Sequence, residues 1–177
     1  MRNWMMSAAA VGTLLTGSPA LAQKVVVDSN PAAAFASYRT YAWTVGTPAA
    51  NPLAEQRIHA LVDQQLAVKG FSKATANPDV VIATHVVTKE EKQLNVNDFG
   101  GFGWGYGYGF GGTRTATVQS YTVGTLAVDI YDAKTKMLVW RGTGTDTLSS
   151  KPDKNTGKAD KALDKMFKQY PPTPSTK

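Results

Sequence analysis

"GTLAVDIYDAKTKMLVWRGTGTDTL", residues 124–148, decides how this chain folds. Leu126, Val128 and Ile130 alternate with Ala127, Asp129 and Tyr131, which is the period of two of a strand with one face toward a core. "DAKTK" reads as a hairpin turn, with Asp132 turning the chain as an Asx residue. "MLVWRGTGTDTL" then returns as the next strand. Strands joined by so short a turn pair antiparallel. Asp129 falls on the polar face, where a cross-strand base such as Arg141 can meet it.

Working outward, "KVVVDSN" (24–30) is a β-branched strand ended by turn residues, and Tyr38 to Trp43 is a second strand after one helical turn at Pro31 and the alanines. A helix starts with Asn51 as cap and Pro52 at its first position, and closes at Gly70 in a left-handed conformation. Ala54, Ile58, Leu61, Val62 and Gln65 form its inner stripe. "FSKAT" is a short strand and "VVIATHVVTKEEKQLNV" a long one with a polar far end. "TATVQSY" is read as a separate strand, with a turn at Thr122 to Gly124. "SSKPDKNTG" is read as a polar loop. The closing helix carries Ala159, Ala162, Leu163, Met166, Phe167 and Tyr170 at helical spacing before Pro171 and Pro172 stop it. The order β-β-α-β-β-β-β-β-α predicts an α+β fold, an antiparallel sheet with two helices packed on one face as a two-layer sandwich.

The ends of the chain point to a compartment. Arg2, an apolar run from Trp4 to Leu15 and "GSPALA" ending at Ala22 have the order of a signal peptide over residues 1–22, with cleavage after Ala22. The apolar run is too short to span a bilayer, which takes about 20 residues. A periplasmic or secreted, non-transmembrane protein is expected, with one α+β domain over 23–170 and a disordered tail over 171–177. The chain has no cysteine, which excludes disulfides, thiolate metal sites, a cysteine nucleophile and a lipid anchor on a post-cleavage cysteine. Its net charge of +6 is scattered rather than clustered. No nucleic-acid partner is expected, and mild attraction to anionic lipid or cell-wall polymer stands beside plain solubility as its meaning.

The residues show no catalytic set, cofactor site or metal site. His59, with Glu55 and Asp63 four residues to either side, reads as part of a solvated helix face with weak i,i+4 pairs. His85, in phase with Val81, Ala83 and Val87, reads as a core or half-buried histidine satisfied by a hydrogen bond. No G-x-S-x-G is present. Asp129, Asp132 and Asp146 read as sheet and turn carboxylates rather than an acid/base pair. Gly107 to Gly112 satisfies G-x-G-x-x-G formally, but the polar "NVNDF" rather than an apolar strand precedes it and a strand rather than a helix follows, so nucleotide binding is set aside.

Between the central strands lies a glycine and aromatic segment over residues 98–113. Eight of the 16 glycines fall between residues 99 and 112. Phe102, Trp104, Tyr106, Tyr108 and Phe110 share one parity, so an extended chain would project all five rings from one side. Such a strip suits a membrane interface, a sugar polymer or a partner chain, and Arg114 beside it suits an anionic surface. Ordering glycine-rich chain costs about 1–2 kcal/mol per residue, which argues for a mobile loop in the isolated protein; an interaction surface that orders on contact and a strand hairpin packed on the domain are the alternatives.

Several stretches together resemble the bacterial envelope family of domain of unknown function 4136. They are "FASYRTYAW" (35–43), "NPLAEQRIHALVDQQLAVKGF" (51–71), "NPDVVIATHV" (77–86), residues 124–148 and a closing helix ending "YPP" (170–172). The resemblance implies an exported protein, often a lipoprotein, of unestablished biochemical function, with no catalytic residues to carry over. Here no cysteine follows the expected cleavage site, so acylation is not implied. The expectation is a non-enzymatic envelope-associated interaction or structural module that uses the aromatic strip, with an envelope protein, lipid surface or glycan as its partner. The alternative is a small-ligand module for lipid or glycan, binding between the sheet and the helices.

Overall fold

A computed structural model describes residues 23–97 and 115–173. The order is β1 (Lys24–Ser29), a 3-10 turn at Phe35–Ser37, β2 (Thr40–Trp43), α1 (Pro52–Val68), β3 (Ser72–Lys73), β4 (Val80–Asn97), β5 (Thr115–Asp132), β6 (Leu138–Thr147) and α2 (Pro152–Phe167). The fold is α+β, with six strands in one sheet in the order β1-β6-β5-β4-β2-β3.

The sheet is mixed, which corrects the purely antiparallel expectation. β1, β6, β5 and β4 pair antiparallel, whereas β2 runs parallel to both β4 and β3. The cause is α1. A strand that passes into a helix and returns to the same sheet re-enters in its original direction. A second correction concerns β5, which runs unbroken from Thr115 to Asp132 with every residue in register against β4. Gly124 lies within the ladder opposite Thr88, so no turn interrupts the strand at 122–124. The sheet therefore has one strand fewer than expected.

Alternation along β5 does sort the faces. Leu126, Val128 and Ile130 are all buried, and register aligns them with Val86, Thr84 and Ile82 of β4 and with Gly144, Gly142 and Trp140 of β6. Both helices meet this set. From α2, Met166 and Ala162 press on Gly142 and Gly144, where an added Cβ would fall 2.6 Å from Trp140 and 2.7 Å from the Met166 methyl. The two glycines thus let α2 approach β6 closely. From α1, Ile58, Val62 and Leu66 are buried in the same core. At about 1.5–3 kcal/mol for each large apolar side chain buried, this one cluster dominates the stabilisation.

The helix ends follow local chemistry. Asn51 accepts the Leu53 amide at 2.9 Å, and Gly70 has φ +82°, both as the sequence predicts. The segment read as a polar loop differs, because α2 already begins at Pro152. Proline presets the first helical turn, Asp153 favours the positive helix start, and Asn155 bonds back to Ser149 at 2.7 Å through both amide groups.

Beyond the sheet, β4 and β5 continue alone. Eight pairs, from Glu90↔Thr122 to Asn97↔Thr115, form a two-stranded arm that no third strand flanks among the described residues. Its reach is about 25 Å at ~3.3 Å per residue.

Candidate binding cleft and polar clusters

The helix–sheet interface tapers. Around the C-terminal halves of the helices it is filled by Leu66, Phe71, Trp140, Met166, Phe167 and Tyr170. Toward their N-terminal ends the inward residues become small: Ala54 on α1, Ala159 and Ala162 on α2, Gly124 and Gly144 on the sheet. A cleft of about 290 Å³ remains there, its apolar walls completed by Ile58, Leu61, Val86, Leu126 and Leu148. It opens to solvent between the first turns of α1 and α2.

The cleft has a charged rim. Lys158 lies 3.0 Å from Asp146 and also donates to the Thr147 carbonyl, while the Gln23 amide donates to the Lys158 carbonyl at 2.8 Å. Asp146 is thereby neutralised. Arg57 is half-buried in the wall, and among the described residues it has neither an ion pair nor a hydrogen-bond partner for its side chain.

Polar side chains also gather at the edge of α1, in a way the sequence reading missed. Glu55, His59 and Asp63 form a half-exposed face rather than a fully solvated one, because β2 and β4 lie against it. His59 Nε2 is 2.9 Å from Glu55 and 3.2 Å from the Thr84 hydroxyl, and its ring stacks on Trp43 at 4.0 Å. Asp63 is engaged elsewhere, accepting from the Tyr41 hydroxyl at 2.6 Å and the Trp43 indole at 2.9 Å. Burial, reinforced by that carboxylate, pushes the Tyr41 phenol well above its usual range. The i,i+4 pair does form, but the spacing that suggested it cannot tell which way the stripe faces.

On the opposite face of the sheet Asp129 is fully buried. Arg141 grips it through Nε at 2.6 Å and Nη2, the Tyr131 hydroxyl donates at 3.0 Å, and His85 Nε2 lies 3.4 Å away. The Asp129 hydrogen bond, set against burial, holds the Arg141 guanidinium above its usual range. The Thr47 amide donates to His85 Nδ1 at 3.2 Å, so that nitrogen carries no proton and Nε2–H faces Asp129. His85 is half-buried and satisfied, and Asp129 pairs with Arg141, as the sequence predicts. Asp132 turns the hairpin through the Lys134 and Thr135 amides and accepts from Tyr38 at 2.9 Å. Burial first, then that bond, pushes the Tyr38 phenol up to about 12.

These histidines and carboxylates are each engaged by neighbouring groups of the fold. Among the described residues no three His, Asp or Glu side chains are grouped to hold a metal ion, and no helix is long and apolar enough to cross a membrane. Phe102, Trp104, Tyr106, Tyr108, Phe110 and Arg114 lie outside the described residues, as does the expected signal peptide.

A search of curated proteins gives no match. Among solved structures, a PDZ domain protein from Parabacteroides distasonis is similar at 20% identity and TM-score 0.55, over 85% of this chain and 35% of that one. The chain thus spans about a third of that protein's length, and the likeness is one of fold. The PelC dodecamer from Paraburkholderia phytofirmans is similar at 18% identity and TM-score 0.48, over 82% of this chain and 99% of that one. The family described as domain of unknown function (DUF4136) matches residues 25–172, almost all of the α+β domain, and the chain belongs to that family.

Proposed function

We propose that the chain is a non-enzymatic binding module for one small apolar ligand, held between its helices and its sheet. The cleft at the N-terminal ends of α1 and α2 carries this reading. It rests on a two-layer arrangement with both helices on one face of the sheet. Ligand sites are concave, mostly apolar and edged by a few polar groups, typically at about 300–1,000 Å³. At about 290 Å³ the cleft suits a single short chain or one ring, and a two-chain lipid is too large for it. Thermal melts across a lipid and glycan panel test the proposal, since a ligand of the folded state raises Tm. The expected result is a rise with single-chain or single-ring apolar compounds. No shift with any compound would refute it.

A second reading is favoured by the β4–β5 arm. In it the protein is exported through its N-terminal signal peptide and works at the envelope, where Phe102, Trp104, Tyr106, Tyr108 and Phe110, in the segment between β4 and β5, meet a partner. Deletion of residues 100–112, followed by cell fractionation and crosslinking from position 104, tests this. An unchanged distribution with no lost crosslink would end it.

A further inference from the structure

We infer that the ligand of the cleft is a medium-chain carboxylate, its chain among the alanines and its head group on Arg57. The inference rests on the cleft reading above and adds the charge and the head group of the ligand.

Three observations lead to it. The first is the charge of the walls. Arg57, Lys158 and Asp146 all line the cleft, and Lys158 is held on Asp146 at 3.0 Å. One positive charge is left over, matching a monoanion.

The second is the state of Arg57. Arg57 is half-buried, and among the described residues its guanidinium meets no carboxylate or carbonyl, so its donors are left for water or a ligand. Its planar fork fits a carboxylate through two parallel hydrogen bonds. Elsewhere in this chain Arg141 closes on Asp129 in that way.

The third is the relation between head and tail. Arg57 is one residue from Ile58 and three from Ala54, and all three line the cleft. A head group on the guanidinium therefore starts its chain directly over the apolar floor. The volume limits that chain to medium length, and a phosphate monoester, near two negative charges at neutral pH, exceeds the single charge available.

Isothermal titration of the full chain with decanoate, decanol, decyl phosphate and decyltrimethylammonium tests the inference. The variants are Arg57→Gln and Ala54→Phe, with circular dichroism confirming that each is folded. Decanoate is expected to bind about tenfold more tightly than decanol, and decyltrimethylammonium more weakly than either. Arg57→Gln is expected to remove the preference for decanoate while leaving decanol affinity unchanged. Ala54→Phe is expected to weaken every chain that binds.

Equal affinity for decanoate and decanol, or a preference that survives Arg57→Gln, would overturn the head-group assignment and leave the apolar cleft standing. Tighter binding of decyl phosphate than of decanoate would overturn the carboxylate assignment. If no chain binds, or Ala54→Phe leaves binding undiminished, the cleft reading itself falls.

Discussion

Arg141 and Asp129 stand directly opposite one another on β6 and β5, and the arginine covers a carboxylate that has no solvent exposure of its own. The pair is asymmetric, because the Arg141 side chain is 47% exposed. Losing Asp129 returns a half-hydrated guanidinium to water. Losing Arg141 strands a buried charge, an outcome that costs about 3–5 kcal/mol in fully buried pairs. Arg141→Met is therefore expected to destabilise by about 2–4 kcal/mol in urea unfolding, and Asp129→Asn by less. Equal losses would show that the burial of Asp129 does not govern the pair.

Gly142 and Gly144 are expected to respond differently to alanine. A methyl on Gly142 meets the Trp140 ring at 2.6 Å and the Met166 Cβ at 3.0 Å, both held in the core. A methyl on Gly144 meets chiefly the free end of Met166, at 2.7 Å, which can swing aside. Overpacking a core costs about 1–3 kcal/mol. Gly142→Ala should fall in that range and Gly144→Ala below it, as read by chemical denaturation. The reverse order would mean that α2 shifts more easily than the methionine.

Acid should loosen the junction of β2 and β4. The Asp79 carboxyl is held below the usual carboxylate range by the Arg39 amide first, then by the hydroxyl and amide of Thr40. Asp132 is lowered in the same direction, chiefly by the Thr135 amide. A depressed folded value gives stability that is full above the unfolded pKa of about 4 and is lost as pH falls through the folded value. The Tm gap between wild type and Asp79→Asn should therefore be widest near neutral pH and should narrow below about pH 4. A gap independent of pH would refute the assignment.

Asp63 Oδ1 holds two donors at once, the Tyr41 hydroxyl and the Trp43 indole, and Lys73 lies 3.4 Å from its other oxygen. Asp63→Ala leaves both without an acceptor and is expected to cost about 1–3 kcal/mol. Asp63→Asn keeps a carbonyl oxygen in place and should cost less. The phenol of Tyr41 should also titrate lower in Asp63→Ala than in wild type, as followed by ultraviolet absorbance. An unchanged Tyr41 titration would mean that burial alone raises it.

What the residues disclose in advance is what depends on near neighbours. The Leu126–Val128–Ile130 face, the Asn51 cap, the Asp132 turn and the pairing of Asp129 with Arg141 each need only a few positions and one geometric rule. The parallel course of β2 was also within reach, since a strand, a helix and a strand in succession imply a crossover. Strand periodicity alone carries no direction, and the later hairpins suggested the opposite. The setting of His59 was less accessible, for the stripe of Glu55, His59 and Asp63 is polar whether it meets water or the edge of a sheet. The cleft was least accessible of all. Its walls come from α1, α2, β4, β5 and β6, and it exists because small residues far apart in the chain coincide in space.

The place of β1 at the edge of the sheet bears on how the protein is made. Lys24 to Ser29 pair only with residues 140 to 145 of β6, more than a hundred positions later. During synthesis, the valines of β1 have no native partner until almost the whole domain has emerged. Contacts of such long sequence separation slow folding and leave strands open to misassociation. Closing the sheet at β1 is thus a late event, and the interval before it is when a chaperone would find the chain.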